Sequence, residues 1–147
     1  MKVLIVAEDN RLVDEIHRAF QESWPQTSPE SVELFDCVCG EEGIARVRSK
    51  APDMLIIDQA LPGISGLETL SRVRRFSDVP AIITFGKQSD ATRLVEALEH
   101  GADAYMLKPV RRMEMLARVQ ALTRRRQAVS HGLAQLRVFR SSLAYSG

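Results

Sequence analysis

Three carboxylates, one hydroxyl and one amine in this 147-residue chain stand where short apolar runs give way to polar residues. Glu8 and Asp9 follow the run Val3 to Ala7, Asp58 follows Met54 to Ile57, Thr84 closes a run that opens at Ala81, and Lys108 follows Ala104 to Leu107. Carboxylates crowded together repel, by roughly 4 kcal/mol for two unit charges about 4 Å apart at an effective dielectric of ~20, and raise one another's pKa. A hard cation removes that cost. Mg²⁺ prefers oxygen ligands, keeps several waters and is usually held by one or two carboxylates plus phosphate oxygens, which suits Glu8, Asp9 and Asp58. With such an ion bound, the Asp58 carboxylate can attack a phosphorus atom in line while Lys108 assists as a fixed cation. The Thr84 hydroxyl can then bond a phosphoryl oxygen. A side chain drawn toward a new phosphate pulls on the loop after its strand and leaves space behind it, which Tyr105, three residues before Lys108, can fill by turning inward.

The elements that must position these groups are legible as periodicity. Lys2 to Ala7 is a nearly continuous aliphatic run, followed by polar Glu8-Asp9-Asn10 and then by Leu12, Val13, Ile16, Ala19 and Phe20 at helical spacing. The same grammar recurs with Val32 to Val38 before Glu41 to Ser49, Met54 to Ile57 before Leu67 to Phe76, Ala81 to Thr84 before Thr92 to His100, and Ala104 to Leu107 before Met113 to about Arg126. Strands that are apolar throughout demand cover on both faces, and alternating strands and helices predict an α/β fold: a flavodoxin-like, doubly wound (βα)5 domain with a five-stranded parallel sheet ordered 2-1-3-4-5. In such a sheet ligands bind outside the carboxyl ends of the strands, where all five groups stand. Pro25 and Pro29 are expected to break up the loop after the first helix, and Gly101 to end the fourth.

Composition agrees with one ordinary globular domain: 45% hydrophobic, 27% charged, net charge +1. No apolar run approaches the roughly 20 residues of a membrane helix, and the N-terminus lacks the parts of a secretory signal, so no membrane association and a cytoplasmic location are expected. Cys37 and Cys39 are read as buried or half-buried thiols, their spacing being wrong for easy bridging or for a metal pair. Residues 1–126 form the expected domain and 127–147 a linker or tail. The run Arg124-Arg125-Arg126 is read as a solvated helix end whose cations suit the dipole there, with nucleic-acid contact the minority reading because interleaved aromatics are lacking. His17, His100 and His131 have no clustered partners and are expected on the surface or half-buried.

Taken together, Glu8-Asp9, Asp58 followed by Leu61-Pro62-Gly63 and Gly66, then Thr84, then Gly101-Ala102-Asp103-Ala104-Tyr105 and Lys108-Pro109 resemble the receiver domain of two-component response regulators. The likeness runs from about Lys2 to Arg126, in order and with similar spacings. It implies that Glu8 and Asp9 are the metal-binding acidic pair, Asp58 the phosphoacceptor and the carbonyl of Ala60 a further Mg²⁺ ligand. Thr84 becomes the switch hydroxyl, Tyr105 the switch aromatic and Lys108 the phosphate-pairing lysine, aimed by a cis bond to Pro109. A sensor histidine kinase or phosphotransfer protein is the implied donor. The surface of the fourth helix, fifth strand and fifth helix is the implied readout. Asp103, Arg118 and Arg125 match positions that pair across a homodimer of that face in winged-helix members, although Ala104 stands where Arg125 would want an acidic partner. Contact with DNA is expected only through an output domain absent from this chain.

Phe85 departs from the pattern, since the residue after the switch hydroxyl is usually small and a ring there could cover the site. That keeps open a pseudo-receiver, a binding module that retains the fold without phosphorylation. An enzyme of haloacid-dehalogenase-like phosphatase type also sets a nucleophilic Asp after a strand. It wants a second Asp two residues on, where this chain has Ala60. Singly, each site residue has a plain structural reading: helix N-terminal charge for Glu8 and Asp9, a turn carboxylate for Asp58, a β-branched strand residue for Thr84, a solvated lysine for Lys108, packing for Tyr105.

Overall fold

The computed structural model describes residues 1–28, 30–87 and 90–128. Five parallel strands form one sheet in the order β2-β1-β3-β4-β5, with β1 at Lys2–Val6, β2 at Glu33–Cys37, β3 at Met54–Asp58, β4 at Ala81–Phe85 and β5 at Ala104–Leu107. The helices between them are α1, which opens at Asn10–Arg18, α2 at Gly40–Lys50, α3 at Gly66–Val73, α4 at Ala91–Glu99 and α5 at residues 112–128. The expected doubly wound architecture and strand order are present.

Side-chain alternation along the strands divides the core into two layers. Val3, Ile5, Met54, Ile56 and Ile82 face Leu12, Ile16 and Phe20 of the first helical segment and Met115, Leu116 and Val119 of α5. On the opposite face Leu4, Val6, Leu55, Ile57, Ile83 and Phe85 meet Val47 of α2, Leu70 and Val73 of α3, and Ala97 of α4. Both faces being covered, β1, β3 and β4 can be apolar at nearly every position, and that continuity is what made them readable.

One expectation about punctuation is corrected. Pro25 does not break a loop: α1 runs on through a π-helical turn at Ala19–Ser23 into a last turn at Trp24–Thr27, with Pro25 in that turn's first positions. Pro25 cannot donate to the preceding turn, and the helix passes it directly after the π-helical turn. Phe20 and Trp24, both buried, hold the extension, their rings 5.5 Å apart and tilted by 50°. Pro29, His131 and the expected tail from residue 129 onward lie outside the described residues; 127 and 128 are helical.

Candidate functional site

The register brings the strand ends level. Asp58 and Thr84 are direct partners across β3 and β4, and Thr84 is opposite Met106 of β5, two residues before Lys108. Asp58 is 1% exposed, and its two carboxylate oxygens are separately engaged. The Thr84 hydroxyl donates to Oδ1 at 2.8 Å, and the Lys108 ammonium donates to Oδ2 at 2.7 Å. The same ammonium reaches Asp9 Oδ2 at 3.0 Å, so one cation bridges two carboxylates. The Lys108–Pro109 bond is cis, as the resemblance implies.

Asp9 is fixed by a second role. Its Oδ1 accepts from the backbone N–H groups of Arg11 and Leu12 at 3.0 and 3.2 Å, capping α1 and leaving Oδ2 for the site. The bond from Lys108 holds the Asp9 carboxyl below its ordinary pKa of 3.8, against the opposing effect of burial. For Lys108, burial favours the neutral amine, but hydrogen bonds and charge from Asp58 and Asp9 outweigh it and raise the pKa above the ordinary 10.5.

Glu8 is not brought into this group. It is exposed, with no hydrogen bond or ion pair to the others, one residue out of phase with Val3, Ile5 and Ala7, which face the same layer. Among the described residues no three His, Cys, Asp or Glu side chains stand close enough to cage a metal. The donor set still fits a hard cation that is satisfied by one or two carboxylates. Asp9 and Asp58 already share a cation in Lys108, and the Ala60 carbonyl lies in an exposed loop with no hydrogen bond to any described residue.

Gly66 of the quoted motif, and Gln59, which the sequence did not single out, shape the loop after β3. The Gln59 side-chain oxygen accepts from Leu67 N–H at 2.8 Å, and its backbone carbonyl accepts from Gly66 N–H at 3.1 Å. A Cβ at Gly66 would run into the Asp58 carbonyl oxygen, so only glycine lets α3 begin this close to the acceptor. A glutamine in a loop carries no periodic signal, which is why Gln59 was missed.

Phe85 faces away from Asp58. It is 1% exposed and packs in the layer with Ile83, Val73 and Ala97, whereas Thr84 points to the opposite side of β4. Tyr105 is half-buried and packs against that same layer. Two of the three expected dimer residues have partners within the chain. Asp103 accepts from Ala81 N–H at 2.8 Å and from Arg74 at 3.3 Å, and Arg118 pairs with Glu114 at 3.3 Å. Arg125 is exposed near the end of the described part of α5. His17, half-buried as expected, bonds Asp36 of β2 at 2.8 Å. Beside the acidic group an open groove of about 270 Å³, floored by Leu12, Pro109 and Val110, runs between the start of α1 and the β5–α5 connection, with Lys87 on its rim.

Comparison with known proteins agrees with this geometry. Residues 3–120 match the family model described as response regulator receiver domain. Transcriptional regulatory protein AfsQ1 of Streptomyces coelicolor is 40% identical over 86 residues, covering 58% of this chain and 38% of that protein. Transcriptional regulatory protein YvrH of Bacillus subtilis is 30% identical over 123 residues, covering 84% of this chain and 49% of that protein. The chain thus spans about half or less of the length of the curated relatives it matches. The solved receiver domain of Francisella response regulator 1452 superposes with a TM-score of 0.73 at 26% identity, over 84% of this chain and 97% of that one. No described helix is long and apolar enough to cross a membrane. With an aspartate, a hydroxyl and a lysine assembled at the carboxyl ends of a 2-1-3-4-5 sheet, this chain belongs to the response regulator receiver domain family.

Proposed function

We propose that Asp58 accepts a phosphoryl group from a histidine kinase or phosphotransfer protein in a Mg²⁺-dependent reaction. The observation that carries this reading is the buried Asp58 carboxylate held between the Lys108 ammonium at 2.7 Å and the Thr84 hydroxyl at 2.8 Å, with Asp9 on the same ammonium. An Asp58 oxygen forms the bond to phosphorus as the donor's phosphorus–nitrogen bond breaks, giving an acyl phosphate and a free imidazole. Lys108 neutralises charge on the transferring group, and Thr84 donates to a phosphoryl oxygen once the carboxylate oxygen it now holds is spent. Asp9, Asp58 and the Ala60 carbonyl would hold the ion, Glu8 standing in solvent, and the ion would supply charge neutralisation at the phosphoryl oxygens. The apolar groove lined by Leu12, Pro109 and Val110 offers a surface for the donor protein. A kinase donor implies a cytoplasmic setting.

Phosphorylation then shifts a two-state equilibrium of the face formed by α4, β5 and α5. Val95, Leu98, Leu107 and Met113 are large apolar side chains left exposed on those elements, which supports a homodimer through this face. The relatives named as transcriptional regulators support a transcriptional output carried by a segment outside this chain. The Phe85 ring packs on the far side of β4 from Asp58, which supports phosphorylation over a phosphorylation-independent binding module. Ala60, where a phosphatase of the competing type would need its second carboxylate, argues against an enzyme.

Intact mass after incubation with Mg²⁺ and a small phosphodonor tests the reading. A single phosphoryl increment is expected, lost in Asp58→Asn and lost when a chelator is added. Metal binding without any increment, from a small donor or a phosphorylated kinase, would reject the phosphoacceptor role.

A further inference from the structure

The net charge of +1 conceals a division: the 33 residues after Glu114 contain six arginines and no carboxylate side chain, leaving −5 up to Glu114 against +6 beyond it. Such asymmetry marks chains that meet polyanions. The structure sets Arg126 of this segment at a groove of about 340 Å³ at the amino ends of the strands, the far end of the sheet from Asp58. Three elements build it: the end of α2 with Arg48, the segment after α3 with Phe76 and Ser77, and α5 with Arg126.

The Arg48 guanidinium lies over the Phe76 ring, 4.3 Å from its centroid, and Phe76 as a residue remains 39% exposed. Arg126 donates to the backbone carbonyl of Asp53 at 3.2 Å, a neutral acceptor that orients the guanidinium without cancelling its charge. Among the described residues neither arginine pairs with a carboxylate, nor do exposed Arg75, Arg124 and Arg125. The carboxylates closest in sequence form no ion pair with these arginines: Asp53 accepts from Lys2 N–H at 2.8 Å, and the charge of Asp78 acts on Arg74. Read along the sequence, Arg124-Arg125-Arg126 has no aromatic neighbour. Folding supplies one from 50 positions upstream.

We propose that this groove binds the backbone of a single-stranded nucleic acid, independently of the chemistry at Asp58 and in addition to any output segment. Planar guanidinium forks match phosphate oxygens, and an exposed ring already stacked with a guanidinium accepts an unpaired base as an acidic peptide would not need. A duplex keeps its bases stacked and leaves the Phe76 ring unused.

The test is fluorescence anisotropy of a labelled single-stranded oligonucleotide titrated with the full 147-residue chain at several salt concentrations. Binding is expected to weaken with salt, and the double variant Arg48→Ala/Arg126→Ala to lower the log–log slope by about 1.4, at roughly 0.7 per phosphate contact, with an affinity loss of at least ~10-fold. Phe76→Ala should weaken the single strand several-fold. Both arginines are exposed, and an unchanged far-UV spectrum together with unchanged phosphoryl acceptance at Asp58 would show that the variants keep their fold. The proposal is overturned if the wild-type chain fails to bind at low salt, if the double variant binds as tightly as wild type, if a duplex is preferred, or if polyglutamate displaces the strand as effectively as unlabelled oligonucleotide.

Discussion

At the scale of single residues, the site rests on one ammonium shared by two carboxylates. Lys108 is part-buried and Asp58 fully buried, so removing the amine leaves Asp58 as a desolvated charge beside Asp9. Lys108→Ala should therefore destabilise the chain by about 3 kcal/mol, the lower end for a broken buried pair because the lysine retains some solvent. Urea unfolding in metal-free buffer measures it, and a loss below ~1 kcal/mol would mean that Asp58 is not held by this pair. A second single-residue effect belongs to Cys37, whose thiol burial, aided by the charge of Glu42, pushes the pKa up to about 12 from 9.0. The folded state holds that proton more tightly than the unfolded one. Its contribution to stability is therefore complete below pH 9.0 and lost progressively as pH rises toward about 12. The stability of wild type relative to Cys37→Ala should be flat up to pH 9 and fall above it. A flat difference throughout would show that the thiolate is as well accommodated as the thiol.

At the scale of elements, β4 carries opposite duties on its two faces. Thr84 turns to Asp58 while Phe85 turns into the layer beneath α3 and α4. The register sets Ile83 opposite Tyr105 and Phe85 opposite Leu107, so Phe85 is the diagonal neighbour of Tyr105 on the same face. Any inward rotation of the tyrosine has to be accommodated around this ring. Phe85→Ala should cost about 3–5 kcal/mol as a buried-aromatic truncation and also free space for Tyr105. Thermal unfolding gives the first effect. Greater protection of Tyr105 from solvent in the variant gives the second, and unchanged exposure would show that Phe85 does not limit the tyrosine.

At the scale of the whole molecule, three chemically distinct surfaces lie apart on the sheet. The acidic group stands at the carboxyl ends of the strands, the basic groove at the amino ends, and an apolar patch of Val95, Leu98, Leu107 and Met113 on one flank. The paired ions expected on that flank are engaged within the chain, Asp103 by Arg74 and Arg118 by Glu114, so apolar burial rather than ion pairing has to drive any dimer. Leu98, 51% exposed on α4, is the side chain to change. Leu98→Asp should abolish self-association of the phosphorylated chain in sedimentation velocity while leaving phosphoryl acceptance intact. A dimer that survives the charge would exclude this flank as its interface.

Much of this protein was determined by the sequence alone, because the signals are local. Strands covered on both faces read as short apolar runs, helices as period-3.6 stripes, and the order of Asp9, Asp58, Thr84 and Lys108 along the chain follows from the strands they end. What the tertiary structure decided is which groups meet. Lys108 bonds Asp58 and Asp9 across 50 and 99 positions, and Thr84 bonds Asp58 across 26, separations closed only by the register of parallel strands and their crossover helices. That same packing left Glu8 in solvent, turned Phe85 away from the site, gave His17 and Asp103 partners in distant segments, and set Phe76 beside Arg48. The physical reason is that backbone periodicity and burial act over a few residues. The pairing of polar side chains depends on distances that exist only once both layers of the core have closed on the sheet.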